Sequence, residues 1–334
     1  MATQKDIAKK LNISRTTVSR ALMNNGSIKP ETKQKVLELA KELGYSKNLI
    51  GSSLATKNPK RIYAFIIKSV NNNYCLDIKE GLVNGAKELK NYNVVVNVIE
   101  TDINTPNEQI KYLKKVVKEE APDGIIIIPQ LKKQIKSIIQ ENPKIKFITL
   151  DIAINNCIPH IGSDYNKSGE ISANILAPLI RNDEKVLVLD TKSDEISSSK
   201  YLEGFYKEAK AQNLNIVGPV YIDNILDNID LIIDKYISDD IVAIYSSRYL
   251  TEIIHAIKNR LPNIKLFVVS NGMNESICDF LSNKNIFATV KENHARQSYL
   301  ATKEMFSLLH GDLSKDKNTH QLIEAKIIFR ANLN

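Results

Sequence analysis

The chain has 334 residues, 43% of them hydrophobic and 25% charged. That length and apolar content exclude a lone small domain or a disordered chain, and two or three cored domains are expected. The formal charge of +8 is unevenly spread: residues 1 to 61 hold 13 Lys and Arg against 4 Asp and Glu, while the remaining 273 hold 33 against 34. A basic segment ahead of a neutral body is the electrostatic footprint of a nucleic-acid-binding head.

Cys75, Cys157 and Cys278 are too widely spaced for a zinc knuckle and odd in number, which reads as reduced structural thiols. The opening MATQKDIAKK has no apolar run, and the longest aliphatic run, IIII at 125 to 128, is too short to span a bilayer. A soluble cytoplasmic protein without a membrane partner is the expectation.

The first predicted element is a helix over 4 to 11, with Thr3 as N-cap, Asp6 in the first turn, and Ile7, Ala8 and Leu11 on the inner face. Asn12 suits the tight turn that follows, because asparagine tolerates left-handed backbone. Ser14 caps a second helix. In ISRTTVSRAL, residues 13 to 22, helical spacing puts Val18, Ala21 and Leu22 on one side and Arg15, Thr16, Ser19 and Arg20 on the other. One face packs and the other meets something polar and anionic, so the pair reads as a helix-turn-helix whose second helix enters the major groove. The rival reading is a solvated helix in a bundle. A third helix starts at Lys29-Pro30-Glu31, runs through Val36, Leu37, Leu39, Ala40 and Leu43, and stops at Gly44. YSKNLIGSSLATKNPKR then reads as a linker with a short helix from about 48 to 56.

From residue 62 strands alternate with helices. Strands are predicted at 62 to 68, 94 to 99, 124 to 128 and 146 to 150, with helices at 74 to 90, 107 to 120 and 131 to 141 between them. A second series follows: helices at 168 to 180, 200 to 212, 227 to 237 and 250 to 260, and strands at KVLVLD, IVGPVYI, IVAIYS and KLFVVS. Near-continuous aliphatic strands bounded by helices mean parallel, doubly wound sheets covered on both faces. Two such series predict an α/β body of two lobes.

The stretch TQKDIAKKLNISRTTVSRALMNN followed by IKPETKQKVLELAKELGYSKNLIGSSLATK resembles the DNA-binding head and hinge of the lactose-repressor (LacI/GalR) family of bacterial transcription regulators. The resemblance implies that Arg15 and Thr16 read bases, that Arg20 makes a common base contact, and that Ser14, Thr17, Ser19 and Asn24 position phosphates. In the hinge it implies DNA contacts by Asn48 and by Leu54, a leucine wedged into the minor groove at the operator centre. Lys47 stands where the family usually has proline, so ordering this hinge on DNA costs more entropy. The implied organisation is a helix-turn-helix domain over 1 to 46, a hinge over 47 to 60, and a periplasmic-binding-protein-like core over 61 to 334. Within that core the implied N-lobe covers about 61 to 160 and 290 to 320, and the C-lobe about 161 to 289 and 321 to 330.

Ligands of such folds sit outside the carboxyl ends of strands. The candidates are therefore the loop from Asn71 to Tyr74 (Asn73 and Tyr74), Gln130, Asp151, Asp164, Tyr201, Arg248, Asn271 and Lys291. Asp and Asn suit sugar hydroxyls, whereas Arg248 and Lys291 suit an acidic ligand. Tyr201 stands where sugar-responsive relatives carry arginine, and SSRY and SNGM replace their later polar pairs, so no particular sugar is implied. GLVNGAK at 81 to 87 is a phosphate-loop look-alike that lies within an amphipathic helix and reads as packing. The sequence has no GxSxG, GxGxxG or HExxH, and its five histidines show no ligand spacing, so no catalytic residue, metal or cofactor is expected. The expected protein is a homodimeric repressor of a pseudo-palindromic double-stranded operator, controlled by a small-molecule effector, a sugar or other metabolite, in the cleft between lobes. The alternative is a small-molecule enzyme with a regulatory DNA-binding head. No leucine heptad follows Phe329, so a coiled-coil tail is not expected.

Overall fold

The computed structural model describes residues 2–23, 28–45, 58–69, 72–190, 196–222, 225–310 and 320–333. Three short helices come first: α1 (Gln4–Leu11), α2 (Arg15–Met23) and α3 (Pro30–Glu42). Thr3 and Asp6 cap α1 reciprocally: the Asp6 amide donates to Thr3 Oγ1 at 3.3 Å, and the Thr3 amide donates to Asp6 Oδ2 at 2.8 Å. Asn12 ends the helix at φ 49° and ψ 45°, the left-handed turn its side chain was chosen for. Ile7, Val18, Ala21, Leu22, Val36 and Ala40 bury together into one small core. The hinge expectations, with Lys47, Asn48, Leu54 and the short helix at 48 to 56, lie outside the described residues, as does Asn24.

One compact unit combines the chain up to Gly162 with His294–Gln321, and the other combines Ser163–Asn293 with Leu322–Asn334. In the first, β1 (Lys60–Lys68), α4 (Asn72–Leu89), β2 (Val94–Asp102), α5 (Pro106–Glu119), β3 (Gly124–Ile127), α6 (Lys132–Glu141), β4 (Lys146–Asp151) and β5 (His160–Ser163) follow in turn. α12 (His294–His310) and β11 (His320–Ile323) return to it late in the chain. The strand order is β11-β5-β4-β3-β1-β2, parallel from β2 through β5. Phe65 faces Ile127 and Ile99 in register, and its ring joins Leu113, Ile125 and Ile135 in the core.

The second unit repeats the plan with α7 (Tyr165–Leu176), β6 (Lys185–Asp190), α8 (Ile196–Ala211), β7 (Asn215–Tyr221), α9 (Ile225–Tyr236), β8 (Ile241–Ser246), α10 (Leu250–Arg260), β9 (Phe267–Asn271), α11 (Glu275–Ser282), β10 (Ala288–Lys291) and β12 (Lys326–Phe329). Its order is β12-β10-β9-β8-β6-β7. Both sheets therefore reverse direction once, between β1 and β3 and between β6 and β8. At such a switch point neighbouring crossovers leave on opposite faces and open a crevice at the carboxyl ends.

The chain departs from the expected elements in several places. β5, α11, β10, α12, β11 and β12 were not foreseen, and β12 runs antiparallel to β10, so the second sheet is not wholly parallel. The helix expected at 168 to 180 starts at Tyr165, and its last turn tightens to a 3-10 helix at Ala177–Leu179 around Pro178.

Glycines mark the closest helix contacts. A Cβ on Gly81 of α4 would fall on the Ala295 carbonyl oxygen of α12, and one on Gly85 would stand 2.7 Å from Thr302 Cβ. This is the packing role expected of GLVNGAK. In the second unit a Cβ on Gly169 would fall on the Tyr201 carbonyl, and one on Gly204 on the Asn166 carbonyl, so α7 and α8 cross backbone to backbone. Gly81→Ala is expected to lower stability by about 1–3 kcal/mol in urea unfolding, because overpacking against a backbone oxygen outweighs the helix-propensity gain. Gly44→Ala, with open space around it but φ +59°, should cost about 1 kcal/mol from backbone conformation alone. Equal losses at the two positions would show that the α4–α12 contact yields.

Candidate functional site

In the head, the Thr17 amide donates to Ser14 Oγ at 3.0 Å and the two hydroxyls share a 2.8 Å bond, which fixes the start of α2. Val18, Ala21 and Leu22 face the core, leaving Arg15, Thr16 and Arg20 exposed and Thr17 and Ser19 half-buried. The resulting surface presents two guanidinium groups and a row of hydroxyls from one short helix, the geometry of base and phosphate contact in a major groove.

In the first unit, Asn73 and Tyr74 occupy the first turn of α4 and not a loop, because the helix begins at Asn72, earlier than the apolar spacing indicated. The Tyr74 hydroxyl donates to Asp151 Oδ2 at 3.0 Å and its ring meets His294 edge-on at 4.8 Å. Burial first, then the Asp151 carboxylate, hold the Tyr74 phenol well above its ordinary range. Asp151 ends β4 at φ 62°, an unusual backbone for a non-glycine residue. Gln130 follows β3: its amide donates to Gln109 Oε1 at 3.0 Å, and its Nε2 donates to the Asp102 carbonyl at 3.1 Å. Fully buried Gln109 also donates to the Ile128 carbonyl at 3.0 Å, so one amide ties the turn after β3 to the end of β2.

In the second unit, Arg248 follows β8. Its Nε donates to Ser198 Oγ at 2.6 Å, while Ser246 Oγ donates to the Arg248 carbonyl at 2.6 Å. Burial pulls the guanidinium below its usual range and the charge of Asp190, at the end of β6, works against that. Asn271 ends β9 and accepts the Tyr245 hydroxyl at 2.7 Å. Tyr201 lies within α8, buried, edge-on to Tyr165 at 5.2 Å. Its phenol is held high by burial and then by the buried Glu292 carboxylate. Lys291 is the last residue of β10, opposite Lys326 in the antiparallel register. Ser198 and Arg248 are thus joined by a hydrogen bond, as are Tyr245 and Asn271, near the carboxyl ends of β8 and β9.

Residues 3–48 match the bacterial regulatory proteins of the lacI family, and residues 63–313 match the periplasmic binding protein domain. The chain belongs to the periplasmic-binding-protein domain family and carries a lacI-type head in front of that domain. The HTH-type transcriptional regulator RegA of Clostridium saccharobutylicum is 29% identical over 203 residues, covering 59% of this chain and 58% of that protein. "Probable HTH-type transcriptional repressor ExuR" of Bacillus subtilis strain 168 is 40% identical over 109 residues, covering 28% of this chain and 33% of its own length. The chain thus spans less than two thirds of either relative. A periplasmic ribose ABC transporter structure from Conexibacter woesei aligns with a TM-score of 0.70 at 20% identity, over 82% of this chain and 93% of that one.

Within the periplasmic-binding-protein domain, the expected ligand residues divide by unit: Asn73, Tyr74, Gln130 and Asp151 in the first, Asp164, Tyr201, Arg248, Asn271 and Lys291 in the second. Sequence reasoning missed Gln109, His294, Asp190, Ser198 and Glu292. Asp190 closes the aliphatic run KVLVLD and Glu292 adjoins Lys291, positions that strand ends alone could have flagged. Asp164 has contacts of its own. Its Oδ1 accepts the Lys167 amide at 2.9 Å as the N-cap of α7, and it lines a cavity of about 380 Å³ with Asn166, Lys167, Glu170, Glu203, Gly204 and Lys207. Asp164→Ala should cost about 1 kcal/mol of stability in urea titration, and Asp164→Asn should restore most of it, as expected of a cap. No change in stability for the alanine variant would remove the capping role.

Proposed function

We propose that this protein is a sequence-specific DNA-binding regulator of transcription, acting as a repressor, whose operator affinity responds to a small molecule held at the carboxyl ends of the strands. The observation that carries the reading is the capped α2 of the lacI-type head, with Arg15, Thr16 and Arg20 exposed over a closed core. The names of RegA and ExuR support regulation and repression, and a periplasmic-binding-protein domain supports effector control. The body is read as a binding module and not an enzyme, and the protein as cytoplasmic.

A homodimer follows from the same reading. One head makes too few base contacts for useful specificity, whereas two on a two-fold axis double them and select a pseudo-palindromic site. A second copy would cover an apolar surface on the first unit. There Leu76 and Val83 of α4 are 60% and 59% exposed, and Val95 and Val98 of the edge strand β2 are 44% and 41% exposed.

The test starts from duplexes selected by the protein from a random-sequence pool. Arg20→Ala should then weaken the selected duplex by about 1–3 kcal/mol per half-site while random DNA binding changes little. Equal losses on both would reduce Arg20 to a phosphate contact. Failure to enrich any sequence would overturn the specific-regulator reading.

A further inference from the structure

Helices α5 and α6 carry seven lysines against three glutamates, although the 273 residues after Arg61 hold 33 basic side chains against 34 acidic ones. Both helices cover the same face of the first sheet: Ile110, Leu113 and Val116 of α5 and Ile135 and Ile138 of α6 bury into one core with Phe65. At about 100° per residue, Lys111, Lys114, Lys115 and Lys118 fall within about 100° of one another, opposite Leu113 and Val116, and all four are exposed. Lys133 and Lys136 are exposed on α6, which touches α5. The two groups thus make one cationic face.

The fold does not use these charges. Among the described residues the six lysines have no side-chain ion pair or hydrogen bond. Exposed lysines elsewhere in the body are paired: Lys79 with Glu100 at 2.8 Å, Lys185 with Asp240 at 2.5 Å, and Lys303 with Glu88 at 2.7 Å. Carboxylates close in sequence to the stripe are turned to other partners. Glu108 accepts the Thr105 hydroxyl at 3.1 Å, Glu120 the Tyr63 hydroxyl at 3.1 Å, and Asp123 the Lys60 ammonium at 2.6 Å. Like charges three and four residues apart weaken a helix, and a merely solvated helix face mixes its signs.

The stripe fits a partner whose negative charge repeats. Residues 111 to 118 rise about 10 Å, and one strand of duplex DNA carries a phosphate for about each 3.4 Å of axis, so four lysines meet about three phosphates. Lysine is a compact, hydrated point charge without the fork of arginine, which suits backbone contact and not base reading. The head on the same chain raises the local concentration of such a duplex.

We propose that the lysine face of α5 and α6 is a second, sequence-independent DNA surface, which holds the phosphate backbone of duplex flanking the site bound by the head. It adds a contact outside the head and relies on the regulator reading only for delivery of the duplex.

Fluorescence anisotropy of the full chain tests it over about 50–200 mM salt, on two duplexes with one selected site, the second extended by about two helical turns on each side. Lys111→Gln, Lys114→Gln, Lys115→Gln and Lys118→Gln, made together, should lose about tenfold in affinity on the extended duplex at low salt. The slope of log affinity against log salt should shrink there by about two to three, and affinity for the short duplex should change less than about twofold. Arginine at the same four positions should keep the extended-duplex affinity. The melting temperature of each variant without DNA reports whether it folds. An unchanged slope on the extended duplex in the folded glutamine variant would overturn the surface, and so would equal losses on both duplexes, because the lysines would then act through their field alone. Unchanged DNA binding, with loss of retention on immobilised polyglutamate, would overturn DNA as the partner and give the face to an acidic protein. If no sequence is enriched, the same comparison on random duplexes still decides the matter, so failure of the regulator reading and failure of this one are told apart.

Discussion

The strand order β2-β1-β3-β4-β5, repeated as β7-β6-β8-β9-β10, is the constraint on which the rest of the body depends. Parallel neighbours need crossovers, and crossovers of one hand put successive helices on opposite faces when the order reverses. The reversal falls between β1 and β3 in one unit and between β6 and β8 in the other, so the ends of those strands are not roofed by a helix. Polar side chains concentrate there because they need no apolar cover. Gln109 and Gln130 tie the end of β3 to the end of β2, while Ser198 and Ser246 hold Arg248 after β8. The same wrapping forces helices together elsewhere, and the glycines of α4, α7 and α8 sit at those contacts.

The head is built on a different scale. Its buried core is Ile7, Ala8, Val18, Ala21, Leu22, Val36 and Ala40, supported by half-buried neighbours such as Leu11 and Tyr45. So small a core supplies little stability on its own, which gives the caps at Thr3 and Ser14 a large share of the margin. Arg15 and Arg20 need nothing from this core. In the proposed reading their charge stays in water until phosphate and base edges replace it, so recognition is separable from folding, whereas Lys60 and Arg61 at the end of the basic segment bond to Asp123 and to the Glu120 carbonyl.

Much of this was legible in the sequence, for identifiable reasons. Helical period and capping residues located α1, α2 and α3 almost to the residue, since Thr3, Asn12, Pro30 and Gly44 each have one physical use in their place. Long aliphatic runs located the central strands. The short elements late in the chain were not legible: β5, β10, β11 and β12 have four residues each, too few for a period to show. The ligand-side residues were half legible. Arg248 and Asn271 stood out as strand-end polar residues, and Asp164 also caps α7, a role that calls for the same residue type in the same place as a ligand contact would. Ser198 and Gln109 lie inside helices, where a polar residue looks like ordinary surface until the fold turns it inward.

Ionic burial gives a physical reason to locate function at the second unit's strand ends. Glu170 is also buried, but Lys167 and Lys207 meet it at 2.8 Å and 2.6 Å from exposed positions, so its charge is compensated within the protein. Those contacts and the resulting fall in its pKa make Glu170 a stabilising residue above the ordinary carboxylate range of pH. Asp190 acts on half-buried Arg248 and on Tyr245, and Glu292 on Tyr201 and Tyr245, the two phenols being held above their usual range by burial first. Well-packed apolar side chains at such positions generally give an equal or more stable fold. A sheet that is aliphatic along Val186, Leu187, Val188 and Leu189 and then changes to Asp190 is accepting a desolvation cost at one defined end.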